Sequence, residues 1–144
     1  MTTLFHEIEV VTSPDRVWAL LTTRAGLNRW WPGEIFIQGG DSWRLQQIDR
    51  DMPLVFKVVE EVPDQVLEWL CTQGAEDWHN TLVHWRIERR AAKLRLIVEH
   101  RDLRKTPAEL ARLNTQWGVW VDRIGHQLHQ EIDTMDDKDL NAWT

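Results

Sequence analysis

Six histidines, one cysteine and a scatter of carboxylates are the groups in this chain able to move protons or hold metal ions. His79 and His84 flank a loop–strand junction. His126 and His129 are spaced to share one helix face. A zinc site needs several converging ligands, and neither pair is joined by an HExxH, CxxC or similar spacing. No metal is expected. Cys71 is the only cysteine, so the chain forms no internal disulfide, and no neighbour in sequence activates the thiol. His100 stands apart from the other histidines. Its parity places it with Leu94, Leu96 and Val98 on one strand face, where a polar ring must find hydrogen bonds. Two readings stay open for it: a satisfied core histidine, or a polar anchor that orients a ligand in an apolar pocket. His6 on the first strand has the same two readings. His100 with His6 or Glu60 can be written as an acid–base pair, but no spacing demands it. There is no glycine-rich phosphate loop, since Gly39-Gly40 reads as a turn, and no GxSxG elbow. No catalytic residue and no cofactor is assigned.

Binding is better represented than catalysis. The chain has ten tryptophans and no tyrosine in 144 residues. Tryptophan buries a large apolar area and has one polar handle, its indole N–H. Such residues either fill a core or wall a hollow one. The expected walls are Trp30, Trp31, Phe36, Trp43, Phe56, Trp69, Trp85, Trp117 and Trp120, with Ile8 and Ile124 beside them and His6 and His100 as polar anchors. Trp78 and Trp143 lie in polar contexts and are expected at the surface.

The elements that position these residues follow from period and punctuation. His6, Ile8 and Val10 alternate with Glu7 and Glu9, which predicts a strand. Ser13, Pro14 and Asp15 are a helix start: a cap, a first-turn proline and an acid at the positive end. A short helix follows to Leu21, then a second short helix or turn to Trp31, ended by Pro32-Gly33. Six strands come next: 34–38, 42–48, 54–62, 66–71, 80–89 and 93–100. They are separated by Gly39-Gly40, a loop at 49–53, Pro63-Asp64 and a polar loop at 73–77. Short turns at this spacing imply an antiparallel meander. Thr106-Pro107 then opens a long helix with one apolar stripe through Leu110, Leu113, Trp117, Trp120, Val121, Ile124, Leu128 and Ile132. Residues 1–133 read as one domain, and 134–144 as an acidic, frayed tail.

Charge and composition narrow the class. The formal net charge is −6, which opposes the basic patch that nucleic acid or an anionic membrane requires. Arg86, Arg89, Arg90, Lys93 and Arg95 cluster, but Glu88 interrupts them and they straddle a hairpin, so they read as a solvated turn. No segment reads as a secretory signal or reaches transmembrane length. The expectation is a cytoplasmic protein, monomer or homodimer, with neither nucleic acid nor membrane insertion among its interactions.

The order of elements, with particular residues, resembles the START-like (SRPBCC, birch-pollen-allergen) superfamily. The matching pieces are Ser13-Pro14-Asp15-Arg16-Val17-Trp18-Ala19-Leu20-Leu21-Thr22, Trp30-Trp31-Pro32, Val62-Pro63 and Leu67-Glu68-Trp69. Thr81-Leu82-Val83, the run Leu94 to His100, and Trp120 with Ile124 and Leu128 complete them. The branch most resembled is that of homologues of the activator of the ninety-kilodalton heat-shock chaperone's ATPase. One departure is Gly118, two residues before Trp120, where the family often has glycine directly before the tryptophan. The resemblance implies an α+β helix-grip fold: a curved antiparallel sheet of six to seven strands around the long helix, with two short helices after the first strand. It implies three functions in order. The first is non-catalytic binding of a small hydrophobic molecule, aromatic or lipid-like, in a cavity between sheet and helix. The second is a chaperone-activator-like accessory protein with a chaperone or other protein partner. The third is a cyclase- or dehydratase-type enzyme.

Overall fold

Alternation of apolar and polar side chains builds seven strands, and one break in it carries the chain from one edge of the sheet to the other. In the computed structural model, residues 1–39, 42–47, 54–74 and 78–143 are described. Parts of the turn at Gly39-Gly40 and of the loop at 73–77, and the whole loop at 49–53, lie outside them. The order is β1 (Thr2–Val10), α1 (Pro14–Thr22), α2 (Arg24–Asn28), β2 (Gly33–Gly39), β3 (Ser42–Gln47), β4 (Leu54–Val62), β5 (Val66–Gln73), β6 (Leu82–Arg90), β7 (Lys93–Leu103) and α3 (Pro107–Trp143). All strands belong to one antiparallel sheet, ordered β1-β7-β6-β5-β4-β3-β2. This is the helix-grip architecture that the sequence implies.

β1 and β2 are the two edges, so α1 and α2 make the crossing between them. α1 buries Val17, Leu20 and Leu21. Pro14 occupies its first turn as expected, but the Ser13 side chain makes no cap bond to the backbone. It hydrogen-bonds the Asp15 carboxylate, which holds that acid below its ordinary range. Thr23 caps α2 by accepting the Gly26 N–H at 2.9 Å. Gly26 packs so tightly on α1 that a Cβ there would stand 1.9 Å from the Ala19 carbonyl oxygen. The Trp30 indole N–H then donates to the Leu20 carbonyl at 2.8 Å and pins the end of α2 to α1.

α3 lies along β1. Thr106 accepts the Glu109 N–H at 3.3 Å, the expected cap. Leu113, Trp117, Trp120, Val121, Ile124 and Leu128 are buried along one stripe. Gly118 and Gly125 sit over His6 and Ile8 of β1, and His6 Nε2 is 2.8 Å from the Asn114 amide oxygen. The helix extends to Trp143 rather than ending near Asp133. No glycine or proline occurs after Gly125 to stop it. Among the described residues, no helix is long and apolar enough to cross a membrane.

Candidate functional site

The inward faces of sheet and helix meet in a continuous set of aromatic rings. Trp30 contacts Trp31 and Trp85, with centroids 6.1 and 5.8 Å apart. Trp85 joins Trp69 at 5.5 Å and Trp117 at 5.8 Å. Trp117 and Trp120 meet edge to face at 5.0 Å, and Trp31 closes on Trp120 at 5.1 Å. Phe56 contacts Trp69 at 4.9 Å and Trp78 at 6.0 Å. Trp78 is the residue the sequence misplaced. It is 1% exposed rather than at the surface, packed on His100, Trp117 and Trp120. Its polar neighbours in sequence hid this. Backbone bonds from Thr81 N–H to the Trp78 carbonyl and from Asn80 N–H to the Cys71 carbonyl turn the segment inward.

Polar atoms enter this apolar interior in a defined chain. Trp117 donates its indole N–H to His100 Nδ1 at 3.0 Å. An indole nitrogen only donates, so Nδ1 is the unprotonated nitrogen and the proton sits on Nε2. Nε2–H donates to Thr81 Oγ1 at 2.8 Å, and the Thr81 hydroxyl donates to the Trp78 carbonyl at 2.7 Å. His100, 1% exposed, is therefore a neutral ring with both nitrogens engaged. Cys71 lies beside this chain. Burial pushes its thiol up to about 12, with the neighbouring Thr81 hydroxyl acting weakly the other way. Such a thiol is inert as a nucleophile.

The indole N–H groups of Trp31 and Trp85 are buried with no hydrogen-bond partner among the described residues. Buried donors are nearly always paired, and an exception calls for a specific cause.

At the end of α1 the interior opens. Leu21 and Thr22 of α1, Trp43 of β3, Val58 and Glu61 of β4, and Leu67 and Trp69 of β5 line a pocket of about 160 Å³. Trp43 is half-buried, while Trp69 and Leu67 are buried at its floor. Trp85 stands directly behind that floor, paired with Leu67 across the strands and ring to ring with Trp69.

The expected site residues divide accordingly. Trp43 and Trp69 line the pocket. Trp30, Trp31, Phe56, Trp85, His100, Trp117, Trp120 and Ile124 are buried behind it. His6 and Ile8 are half-buried, held under α3. Phe36 belongs elsewhere: it is 38% exposed, and its neighbour Ile35, at 1%, takes the inward position opposite Leu45. Strand parity allows only one of the two to face the core.

The outer face of the sheet carries a row that sequence spacing did not show. Glu60, Glu68 and His84 pair across β4, β5 and β6, with one ligand atom of each within 4.8 Å of the others. His84 Nδ1 is 2.8 Å from Glu68, and Arg101 reaches the same carboxylate at 3.7 Å. The row is thereby balanced as a cross-strand ladder.

A family model described as "Activator of Hsp90 ATPase homolog 1-like protein" matches residues 11–129. No curated protein matches the sequence. Among solved structures, the Aha1 dimer from Colwellia psychrerythraea superposes with a TM-score of 0.79 and 25% identity, covering 89% of this chain and 96% of that one. Protein MLL2253 from Mesorhizobium loti gives 0.75 at 13% identity over 90% and 98%. DynU16, from the dynemicin biosynthetic locus, gives 0.72 at 20% identity over 88% of this chain and 47% of its own. At those lower identities the likeness is one of fold.

Proposed function

Because this chain belongs to the activator of Hsp90 ATPase homolog 1-like family, we propose that it is a non-catalytic binding module for a small hydrophobic molecule, held against the tryptophan-lined interior. The observation that carries this reading is the pair of unpaired, buried indole donors on Trp31 and Trp85. A donor left so costs about 1–3 kcal/mol. An acceptor on a bound molecule, or a water carried with it, removes that cost. The molecule is therefore apolar in bulk, with either an acceptor of its own or a water beside it to meet these donors. The pocket at Trp43 and Trp69 is its way in, with Trp85 one side chain deeper. Phe56, Trp30, Trp31, Trp117, Trp120 and Ile124 support the wall, His6 and Ile8 fix α3 on β1, and His100 keeps Trp117 in place. His100, buried and bonded through both nitrogens to Thr81 and Trp117, is assigned a structural role in this reading.

Native mass spectrometry of the purified protein, compared with denaturing conditions, tests this reading. A stoichiometric extra mass released on denaturation is expected. With the protein stripped, small aromatic alcohols should quench tryptophan emission saturably, and at a hundred times Kd should stabilise the fold by about 2.7 kcal/mol. Trp43→Ala should weaken that binding about tenfold or more, the scale of a buried aromatic contact. A clean mass together with unchanged emission and melting temperature across the panel refutes the reading.

A second reading, action through protein contacts, is supported by the similar Colwellia protein having been solved as a dimer. Among the described residues the large exposed apolar side chains are spread over several elements: Met1, Phe5 and Val11 in or beside β1, Phe36 on β2, Val59 and Val62 on β4, and Val119 on α3. Light scattering across a concentration series measures self-association directly. A monomer at all concentrations removes the homodimer form of this reading.

A further inference from the structure

One irregularity in β4 decides which acid faces the pocket. Across β4 and β5, Val58 pairs with Trp69 and the next partners are Glu60 with Glu68, so Val59 is an extra residue, a bulge. Val58 faces inward and lines the pocket. In a regular strand Glu60 would be the next inward residue and Glu61 would face out. The bulge reverses this. Glu60 joins Glu68 and His84 on the outer face, and Glu61 comes to lie opposite Leu67, on the rim of the pocket. Bulges recur where a strand must re-aim a side chain.

The rim therefore presents a carboxylate above two indoles, Trp43 and Trp69, with the Thr22 hydroxyl at the side. Thr22 Oγ1 donates to the Trp18 carbonyl at 2.8 Å, so it offers its lone pairs rather than its proton to an incomer. Among the described residues, no arginine or lysine lines the pocket. Carboxylate oxygen, hydroxyl oxygen and indole faces all favour a cation. A volume of about 150 Å³ is enough for one benzene-sized ring, and this pocket, open to solvent on its polar rim, offers about 160 Å³.

Resting on the binding reading above, we infer that the pocket takes molecules that carry a protonated amine beside a single-ring or similarly small apolar body, with Glu61 receiving the ammonium and Trp43 and Trp69 the ring. Glu61 is exposed, so its contribution is one of selectivity rather than of tight binding.

Three probes of one shape test it: 2-phenylethylammonium, 2-phenylethanol and phenylacetate, each titrated by tryptophan fluorescence at low salt. The ammonium should bind about tenfold more tightly than the alcohol, the combined scale of an exposed ion pair and a cation–π contact, and the carboxylate most weakly. Added salt should reduce the difference. Glu61→Gln should remove the ion-pair share of that preference, about threefold, without changing the alcohol's Kd. Glu60→Gln, one residue away on the other face, should leave the preference intact, which separates local recognition from the chain's overall negative charge. Equal binding of ammonium and alcohol to the unaltered protein overturns the amine inference while the binding reading stands. A preference that Glu61→Gln leaves undiminished also overturns it. If none of the three probes binds, the inference and the pocket beneath it fall together.

Discussion

Thr81→Val is the sharpest test of the buried polar chain, because it changes one atom's chemistry and almost none of its shape. The hydroxyl lost accepts His100 Nε2–H at 2.8 Å and donates to the Trp78 carbonyl at 2.7 Å. The carbonyl keeps a partner, since the Thr81 backbone N–H also reaches it, at 3.1 Å. The imidazole N–H instead faces a methyl group in a site where His100 is 1% exposed. The cost is that of one buried donor deprived of its acceptor, about 1–3 kcal/mol. A net loss of about 2 kcal/mol corresponds to a fall in Tm of roughly 6–8 °C for a chain of this size. Urea unfolding followed by tryptophan emission measures the loss, and the denaturant slope should not change. Thr81→Ser keeps the oxygen and should recover most of the difference. The nitrogen chemical shifts of His100 should show Nε2 protonated and Nδ1 bare. A Thr81→Val protein as stable as the parent, or a proton found on Nδ1, would refute the tautomer and the chain built on it.

Glycine supplies a contrast of sign. A Cβ at Gly118 or Gly125 would meet only side-chain carbons, at 3.8 and 3.7 Å, so each Gly→Ala change should stabilise α3 by up to about 1 kcal/mol, read as a raised urea midpoint. Gly26→Ala would drive a methyl into the Ala19 carbonyl and should cost several kcal/mol or prevent α1 and α2 from packing, visible as lost near-ultraviolet circular dichroism. Cys71 predicts a pH dependence. Its thiol is raised from 9.0 to about 12 in the fold, so the native state keeps a proton that the unfolded chain gives up. Stability from this group is intact below pH 9 and falls above it by about 1.4 kcal/mol per pH unit until about pH 12. Cys71→Ala should flatten that slope, and thiol reagents should label the native protein only as fast as it opens.

The strands and the meander of the last six were legible because period-two alternation survives in most of them, and the long helix because its apolar stripe is unbroken from Leu110 to Leu128; the pairing of β1 with β7 was not. What escaped the sequence has physical causes. Glu61 was hidden by the bulge at Val59, which changes parity mid-strand and has no compositional mark. Trp78 was hidden by its polar neighbours, since a turn closed by backbone bonds leaves little trace in hydropathy. Phe36 and Ile35 are both apolar, so composition did not choose between them; the pairing of Ile35 with Leu45 does. His100 could be placed inward from alternation alone. Its tautomer follows only from Trp117, seventeen residues away on another element.

The pairing of β1 with β7 sets an order of assembly. Val10 meets Leu94 and Thr2 meets Leu103, whereas β2 to β7 each pair with the next strand in sequence. During synthesis the meander can therefore grow hairpin by hairpin as it emerges, each step closing a short loop. β1 has no partner until β7 has left the ribosome. Nor is the inner face of β1 covered until α3 follows, with Asn114, Gly118 and Gly125 to receive His6 and Ile8. Of these seven strands the earliest to emerge is the last that can dock, and until it does β1 remains an unpaired edge.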